Sequence, residues 1–210
     1  MLTLYYSPNS CSLASHLTLE HAGAEYALVR IDFSVNEQRS PAYLKVNPKG
    51  RVPALVTRSG VLTETPAVLQ FIAQMYPDSK LAPLDEPFRL AEMNAFNSYQ
   101  CSTVHVAHAH RMRGHRWADD PAALEAMRKK VPQAVGDAFA IIENEYLRGP
   151  WVLGEQFSTS DYYLLTIARW LEGDGVDLAP LPKVLEHRRR MMDLPVVKRV
   201  LGEGRAHTIA

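Results

Sequence analysis

Cys11 and Cys101 are the two cysteines of this 210-residue chain, and the first stands where reactivity is easily arranged. A short apolar strand, Leu2-Thr3-Leu4-Tyr5-Tyr6, runs through Ser7-Pro8-Asn9-Ser10 and delivers Cys11 to the start of a helical pattern, Ser12-Leu13-Ala14. Unpaired N–H groups and the positive end of the helix dipole favour thiolate over thiol there, so the position predicts a depressed pKa and a nucleophilic sulfur. The competing reading is a small, inert, buried apolar residue. His105, His108, His110 and His115 form the next group that could do chemistry. His105 and His108 share a helix face, but no carboxylate or cysteine completes a ligand spacing, and no metal site is expected. The run Arg111-Met112-Arg113-Gly114-His115-Arg116 reads as a solvated helix end rather than a nucleic-acid surface, and Arg188-Arg189-Arg190 as a solvated helical turn.

The elements that must carry these groups follow from period and punctuation. Leu13 to Ala22 reads as a helix stopped by Gly23, and Tyr26 to Ile31 as a half-buried strand, so the two strands flanking that helix should pair in parallel. Pro41 to Val46 forms one or two helical turns before the turn signal Asn47-Pro48-Lys49-Gly50. Val52-Pro53-Ala54-Leu55-Val56-Thr57, a turn at Ser59-Gly60 and Val61-Leu62-Thr63 read as an antiparallel hairpin whose opening proline belongs at a strand's start or edge. Thr65 as N-cap and Pro66 at the first helical position then begin a helix with the apolar stripe Val68, Leu69, Ile72 and Tyr76, closed by Pro77. Residues 1–80 thus form a compact α/β layer, residues 81–87 a proline-stiffened linker, and residues 88–210 an all-helical domain.

Within that second domain, one helical pattern runs from Phe88 to about Arg113 and another from Leu124 to Tyr146, with a kink expected at Pro132. Ser158-Thr159-Ser160-Asp161 is a capping box with Asp161 in place of the usual Glu or Gln, and Phe157 and Tyr162 have staple spacing. This helix should reach about Leu171, stop at Gly173-Asp174-Gly175, and be followed by helices starting near Pro182 and Pro195. A 47% hydrophobic composition supports a packed core. Lys+Arg and Asp+Glu both number 23, so no global field attracts nucleic acid or an anionic membrane, and a small, locally recognised ligand is the better expectation. No basic leader and no apolar run near the roughly 18 residues that span a bilayer is present, which predicts a cytoplasmic protein with free thiols.

A cysteine after the first strand, a Val-Pro before the third, a Glu-Thr before a helix and an all-helical second half together resemble the cytosolic glutathione transferases. Cys11-Ser12-Leu13-Ala14-Ser15-His16 and Asn47-Pro48-Lys49-Gly50-Arg51-Val52-Pro53-Ala54-Leu55 look most like the bacterial beta class, and the likeness covers essentially the whole chain. It implies the glutathione transferase fold: an α/β thioredoxin-like N-terminal domain that binds glutathione, an all-α C-terminal domain that carries the electrophile site, and a cleft between them. It also implies a cis Val52-Pro53 bond, leaving the Val52 N–H and C=O to pair with the cysteinyl unit of glutathione as a miniature strand addition. An ordinary trans proline on a strand edge is the alternative. Glu64 would neutralise the γ-glutamyl ammonium, while Thr65, where many members carry Ser, and the helix-start N–H groups would take its carboxylate. The competing reading makes Thr65 a plain cap and Glu64 a solvated charge. His105 resembles the family's histidine facing the glutathione sulfur, and Asn97 its asparagine on the same helix, although the two stand one residue further apart than the family pattern. Val106 takes the place of a frequent lysine, and a basic contact that often lies near Asn36 stays unassigned.

The activity so implied is conjugation of reduced glutathione, the co-substrate, to small hydrophobic electrophiles, a detoxification chemistry, by a homodimer. Cys11 and Ser12 at the helix start, with His105, are the implied catalytic residues. Cys11 could instead form a mixed disulfide with glutathione, adding thiol-transferase or peroxidase activity. Ala14 stands where a second cysteine would be needed, so such exchange is monothiol. The rival from another class is a non-catalytic glutathione-fold binding or regulatory protein.

Overall fold

The structure is a computed structural model and describes residues 1–202. Strands β1 (Leu2–Tyr6), β2 (Tyr26–Arg30), β3 (Ala54–Thr57) and β4 (Gly60–Thr63) form one sheet in the order β2-β1-β3-β4. β1 pairs with β2 in parallel, as the intervening helix α1 (Ser12–His21) requires, and with β3 antiparallel. Register places Leu4 beside Leu28 and Leu55. These three leucines are buried with Leu19 of α1 and with Val68 and Ile72 of a later helix, α3 (Thr65–Met75), so α1 and α3 cover one sheet face. Tyr5 points the opposite way and meets Tyr43 of α2 (Pro41–Val46), with ring centroids 5.5 Å apart.

The remaining described elements are helical: α4 (Pro87–Tyr99), α5 (His105–Arg113), α6 (Pro121–Ile141), α7 (Thr159–Ala168), α8 (Pro182–Asp193) and α9 (Pro195–Gly202). α4 and α5 make the expected long helical segment, but a π-helical turn, Gln100–Val104, joins them, and the His105 N–H reaches back to the Gln100 carbonyl. All ten residues of α7 are buried. Its capping box forms as expected: the Ser158 side chain accepts from the first turn, and Asp161 Oδ2 accepts from the Ser158 N–H at 2.8 Å. The same fully buried carboxylate accepts from the Val152 N–H at 2.9 Å and lies 2.9 Å from His187 Nε2. Asp161 therefore fastens the 149–154 loop and α8 to α7.

Several local expectations change. Thr65 is the first residue of α3 rather than its cap; Glu64 occupies the cap position with a φ of +70° and makes no side-chain cap bond. α7 ends at Ala168, three residues short of Leu171, and turns fill 169–175. Pro132 lies inside α6, as the sequence places it. Within the connecting segment 81–87, Leu81, Ala82 and Pro83 are buried, and the Leu81 carbonyl accepts from the Thr159 N–H at 2.9 Å. Leu13, Ala14 and Leu17 of α1 share one apolar cluster with Phe96 of α4, Phe139 of α6 and Leu164 of α7, so one core runs through both halves.

Candidate active site

Where the sheet's loops meet α5 lies a cleft of about 470 Å³. Its N-terminal wall is mostly main chain. Strand β1 ends in the turn Ser7–Ser10, which the Ser12 hydroxyl pins by accepting from the Ser7 N–H at 3.1 Å and lying 2.7 Å from the Ser10 hydroxyl. Cys11 follows as the cap of α1 and donates its thiol to the Val52 carbonyl at 3.3 Å. Val52-Pro53 is cis and lies ahead of Ala54, the first β3 residue paired with β1. The preceding carbonyl, Arg51 O, is held from two sides, by Tyr43 Oη at 2.7 Å and Asn47 Nδ2 at 2.6 Å. Glu64 and Thr65 complete this wall; Glu64 is exposed and pairs with Lys49 Nζ at 2.6 Å, whereas Thr65 is buried.

The electrostatics of Cys11 differ from the sequence expectation. Burial pushes its thiol up from the usual value; the Thr65 hydroxyl and the Arg113 charge act in the opposite direction but do not outweigh burial. Position at a helix start therefore yields a protonated sulfhydryl at neutral pH. Ser12 is corrected as well: its hydroxyl is fully buried and committed to the Ser7–Ser10 turn, so it does not line the cleft.

The opposite wall is made of side chains from α5 and α7. His105 stands in it half-buried, its ring 5.1 Å from that of Trp170. Burial and the cations around it push His105 down to about 3, which keeps the imidazole neutral. Asn97 does not reach the cleft. It is fully buried against α7, where its Oδ1 accepts from the Ser160 hydroxyl at 2.9 Å.

Groups not foreseen from the sequence also line the cleft. Cys101 and Tyr163 do, and Thr65 hydrogen bonds hold down both the Cys11 thiol and the Tyr163 phenol, although burial leaves each raised. Trp170 Nε1 donates to the Asn9 carbonyl at 3.1 Å, tying the region after α7 to the turn ahead of Cys11. Tyr163 and Trp170 stand seven residues apart, a helical repeat that could have indicated one shared face. The basic run is not simply a solvated helix end. Arg111 is drawn to Asp174 and the Gly173 carbonyl, and His108 lies 2.7 Å from the same buried aspartate, but Arg113 and Arg116 face the cleft together with Arg39 and Arg51. Among the described residues, no group of three His, Cys, Asp or Glu side chains could hold a metal ion, and no helix is long and apolar enough to cross a membrane.

Comparison with known proteins places this arrangement. Residues 1–74 match the family "Glutathione S-transferase, N-terminal domain" and residues 103–195 match "Glutathione S-transferase, C-terminal domain". The glutathione S-transferase GstA of Escherichia coli O157:H7 is 32% identical over 203 residues, covering 95% of this chain and 97% of that protein. A glutathione transferase homologue from Sulfitobacter, solved with bound glutathione, superimposes with a TM-score of 0.94 at 43% identity, covering 97% of this chain and 98% of the other. A bacterial beta class glutathione S-transferase from Sphingomonas chungbukensis gives a TM-score of 0.82 at 30% identity, with 96% and 98% covered. With both halves matched and a relative 32% identical over nearly the whole chain, this chain belongs to the glutathione S-transferase family.

Proposed function

We propose that the protein transfers the sulfur of reduced glutathione to a small electrophile held in the cleft. The observation that carries this reading is the meeting of Cys11, cis Val52-Pro53 and Glu64-Thr65 on one wall, opposite α5. The cysteinyl unit of glutathione pairs with the Val52 main chain, which lies ahead of the paired part of β3. Its γ-glutamyl carboxylate meets the start of α3 and the Thr65 hydroxyl, and its ammonium meets Glu64. The glutathione sulfur then lies beside Cys11 and His105. A protonated Cys11 donates a hydrogen bond to the glutathione thiolate, and neutral His105 orients the incoming electrophile or a water. Trp170, Tyr163 and Met112 give the electrophile an apolar and aromatic backing.

In this reading residues 1–80 hold glutathione, residues 81–87 connect, and residues 88–210 carry the electrophile site, with 203–210 outside the described residues. Thiol transfer or peroxide reduction through a mixed disulfide at Cys11 is a second capability, slowed by the raised thiol pKa. A reducing cytoplasm and a role in detoxification fit two free thiols and a glutathione co-substrate. A homodimer is supported by family membership and by Phe88, 78% exposed at the start of α4, and light scattering at the monomer mass would refute it. The deciding experiment is isothermal titration of the reduced protein with reduced glutathione. Saturable one-site binding supports the assignment, whereas no binding up to millimolar ligand makes a non-catalytic scaffold the better account.

A further inference from the structure

Among the described residues, four arginines, Arg39, Arg51, Arg113 and Arg116, line the cleft, and the one carboxylate on its lining, Glu64, is already paired with Lys49. Among the described residues none of the four arginines forms an ion pair. Arg39 lies against the main chain beside the N-terminal wall, close enough that a Cβ at Gly50 would come 3.0 Å from its Nη1, and Arg51 directly precedes Val52. Arg113 and Arg116 come from the far wall, at the end of α5 and in the turn after it. The Arg113 guanidinium carbon stands 5.6 Å from the Phe33 ring centroid, so this side chain reaches across to the N-terminal half. Burial and the charges of Arg113, Arg51 and Arg39 pull Arg116 down to about 10, the signature of positive charge gathered without a counter-charge.

Glutathione does not neutralise this set. It carries two carboxylates and one ammonium; Thr65 and Glu64 take the γ-glutamyl pair in the proposed function, which leaves the glycine carboxylate. Arg51, which precedes Val52, and Arg39, beside Gly50, match that remaining carboxylate. Arg113 and Arg116 are left over, half-buried and beside the apolar backing of Trp170 and Met112. A neutral hydrophobe would leave both charges partly desolvated and unpaired, an unfavourable arrangement that an anionic group would relieve.

We infer that Arg113 and Arg116 form a carboxylate-binding subsite for the second substrate, so that the electrophile is an organic acid with a small apolar or aromatic body. This rests on the transferase reading. In the transfer step the glutathione sulfur forms a bond to the electrophilic carbon. With an aryl or benzyl halide the carbon–halogen electron pair departs as halide and the thiol proton passes to solvent. The arginines take no part in that exchange of bonds; they hold the acid so that its reacting carbon lies over the sulfur.

The test measures binding by titration calorimetry of reduced glutathione, S-benzylglutathione and S-(4-carboxybenzyl)glutathione, ligands that differ stepwise in the second-substrate portion. The carboxylated conjugate is expected to bind at least tenfold more tightly than the benzyl one, about 1.4 kcal/mol. In the Arg113→Gln/Arg116→Gln double variant that ratio should fall to about one, with circular dichroism and a thermal melt confirming that the variant folds. Equal affinities in the parent protein overturn the acid subsite while leaving glutathione transfer standing. A ratio that persists in the double variant overturns the assignment to these two arginines. Failure of all three ligands to bind removes the transferase reading and this inference together.

Discussion

The two walls of the cleft are built by different means. The N-terminal wall is a main-chain surface: a turn, a helix start, a cis Val-Pro unit and a second helix start, all projecting from one small sheet. The helical wall is a side-chain surface, lined by His105, Arg113, Arg116, Tyr163 and Trp170. Main chain offers the same donors and acceptors whatever residues surround it, which suits a ligand that never changes. Side chains can be exchanged without altering the fold, which suits the partner that does.

The largest effect should come from Asp161, which fastens the 149–154 loop and α8 to α7, the helix whose core α1 shares. Asp161→Ala removes the capping-box return bond and leaves His187 without its carboxylate, and by the usual penalty for breaking a buried pair it should lower stability by about 3–5 kcal/mol. Urea unfolding of the parent and the variant should each give one transition, because α1 shares its core with α7. Two separated transitions would show that the walls fold independently.

A smaller change should separate the walls functionally. Thr65→Val keeps the shape and removes the hydroxyl, so glutathione affinity should fall about tenfold, the range for losing a hydrogen bond to a charged group. The Michaelis constant for the electrophile at saturating glutathione should hold steady; if it rises equally, the division of labour is wrong. The next effect concerns the thiol. Because Cys11 is raised, it stays protonated at neutral pH, and its alkylation by iodoacetamide should accelerate only as pH climbs past 9. Rapid labelling at pH 7 would restore the helix-start expectation. The smallest effect belongs to His105. With its pKa near 3 it carries no charge change between pH 5 and 8, so the parent and His105→Gln should share one shape of pH–rate profile, differing only in height.

The same contrast explains what could be read in advance. The parallel β1–β2 pair, the hairpin and the capping box follow from local signals: Gly23 after a helical repeat between two strands, Ser59-Gly60 between alternating strands, and Ser158 to Asp161 before an apolar run, whereas the cis Val52-Pro53 bond was implied by the family resemblance alone. Those signals act over a few residues, and most elements appear where they point. Asn97 and the Arg111–Arg116 run fail for a different reason. Which way a helical side chain faces is settled by what packs against it: Asn97 turns to Ser160 of α7, and Arg113 and Arg116 turn to the cleft, through partners far away in the sequence. The raised Cys11 thiol was also beyond reach, because burial by Thr65, Val52 and the helical half depends on contacts across the whole chain.

Lys49 gives the glutathione end of the cleft a further property. Its ammonium sits on the Glu64 carboxylate at 2.6 Å and on the Thr63 hydroxyl at 2.6 Å, the place assigned above to the ammonium of the ligand. In the proposed function Glu64 is thus occupied by a tethered stand-in, and glutathione would enter by exchange, one ammonium displacing another of the same charge. Exchange of like for like releases little net free energy at a pair this exposed. On that reading the contact would act as a filter: a thiol peptide without a free amino group could not replace what it pushes aside, and Lys49 would close back over the carboxylate.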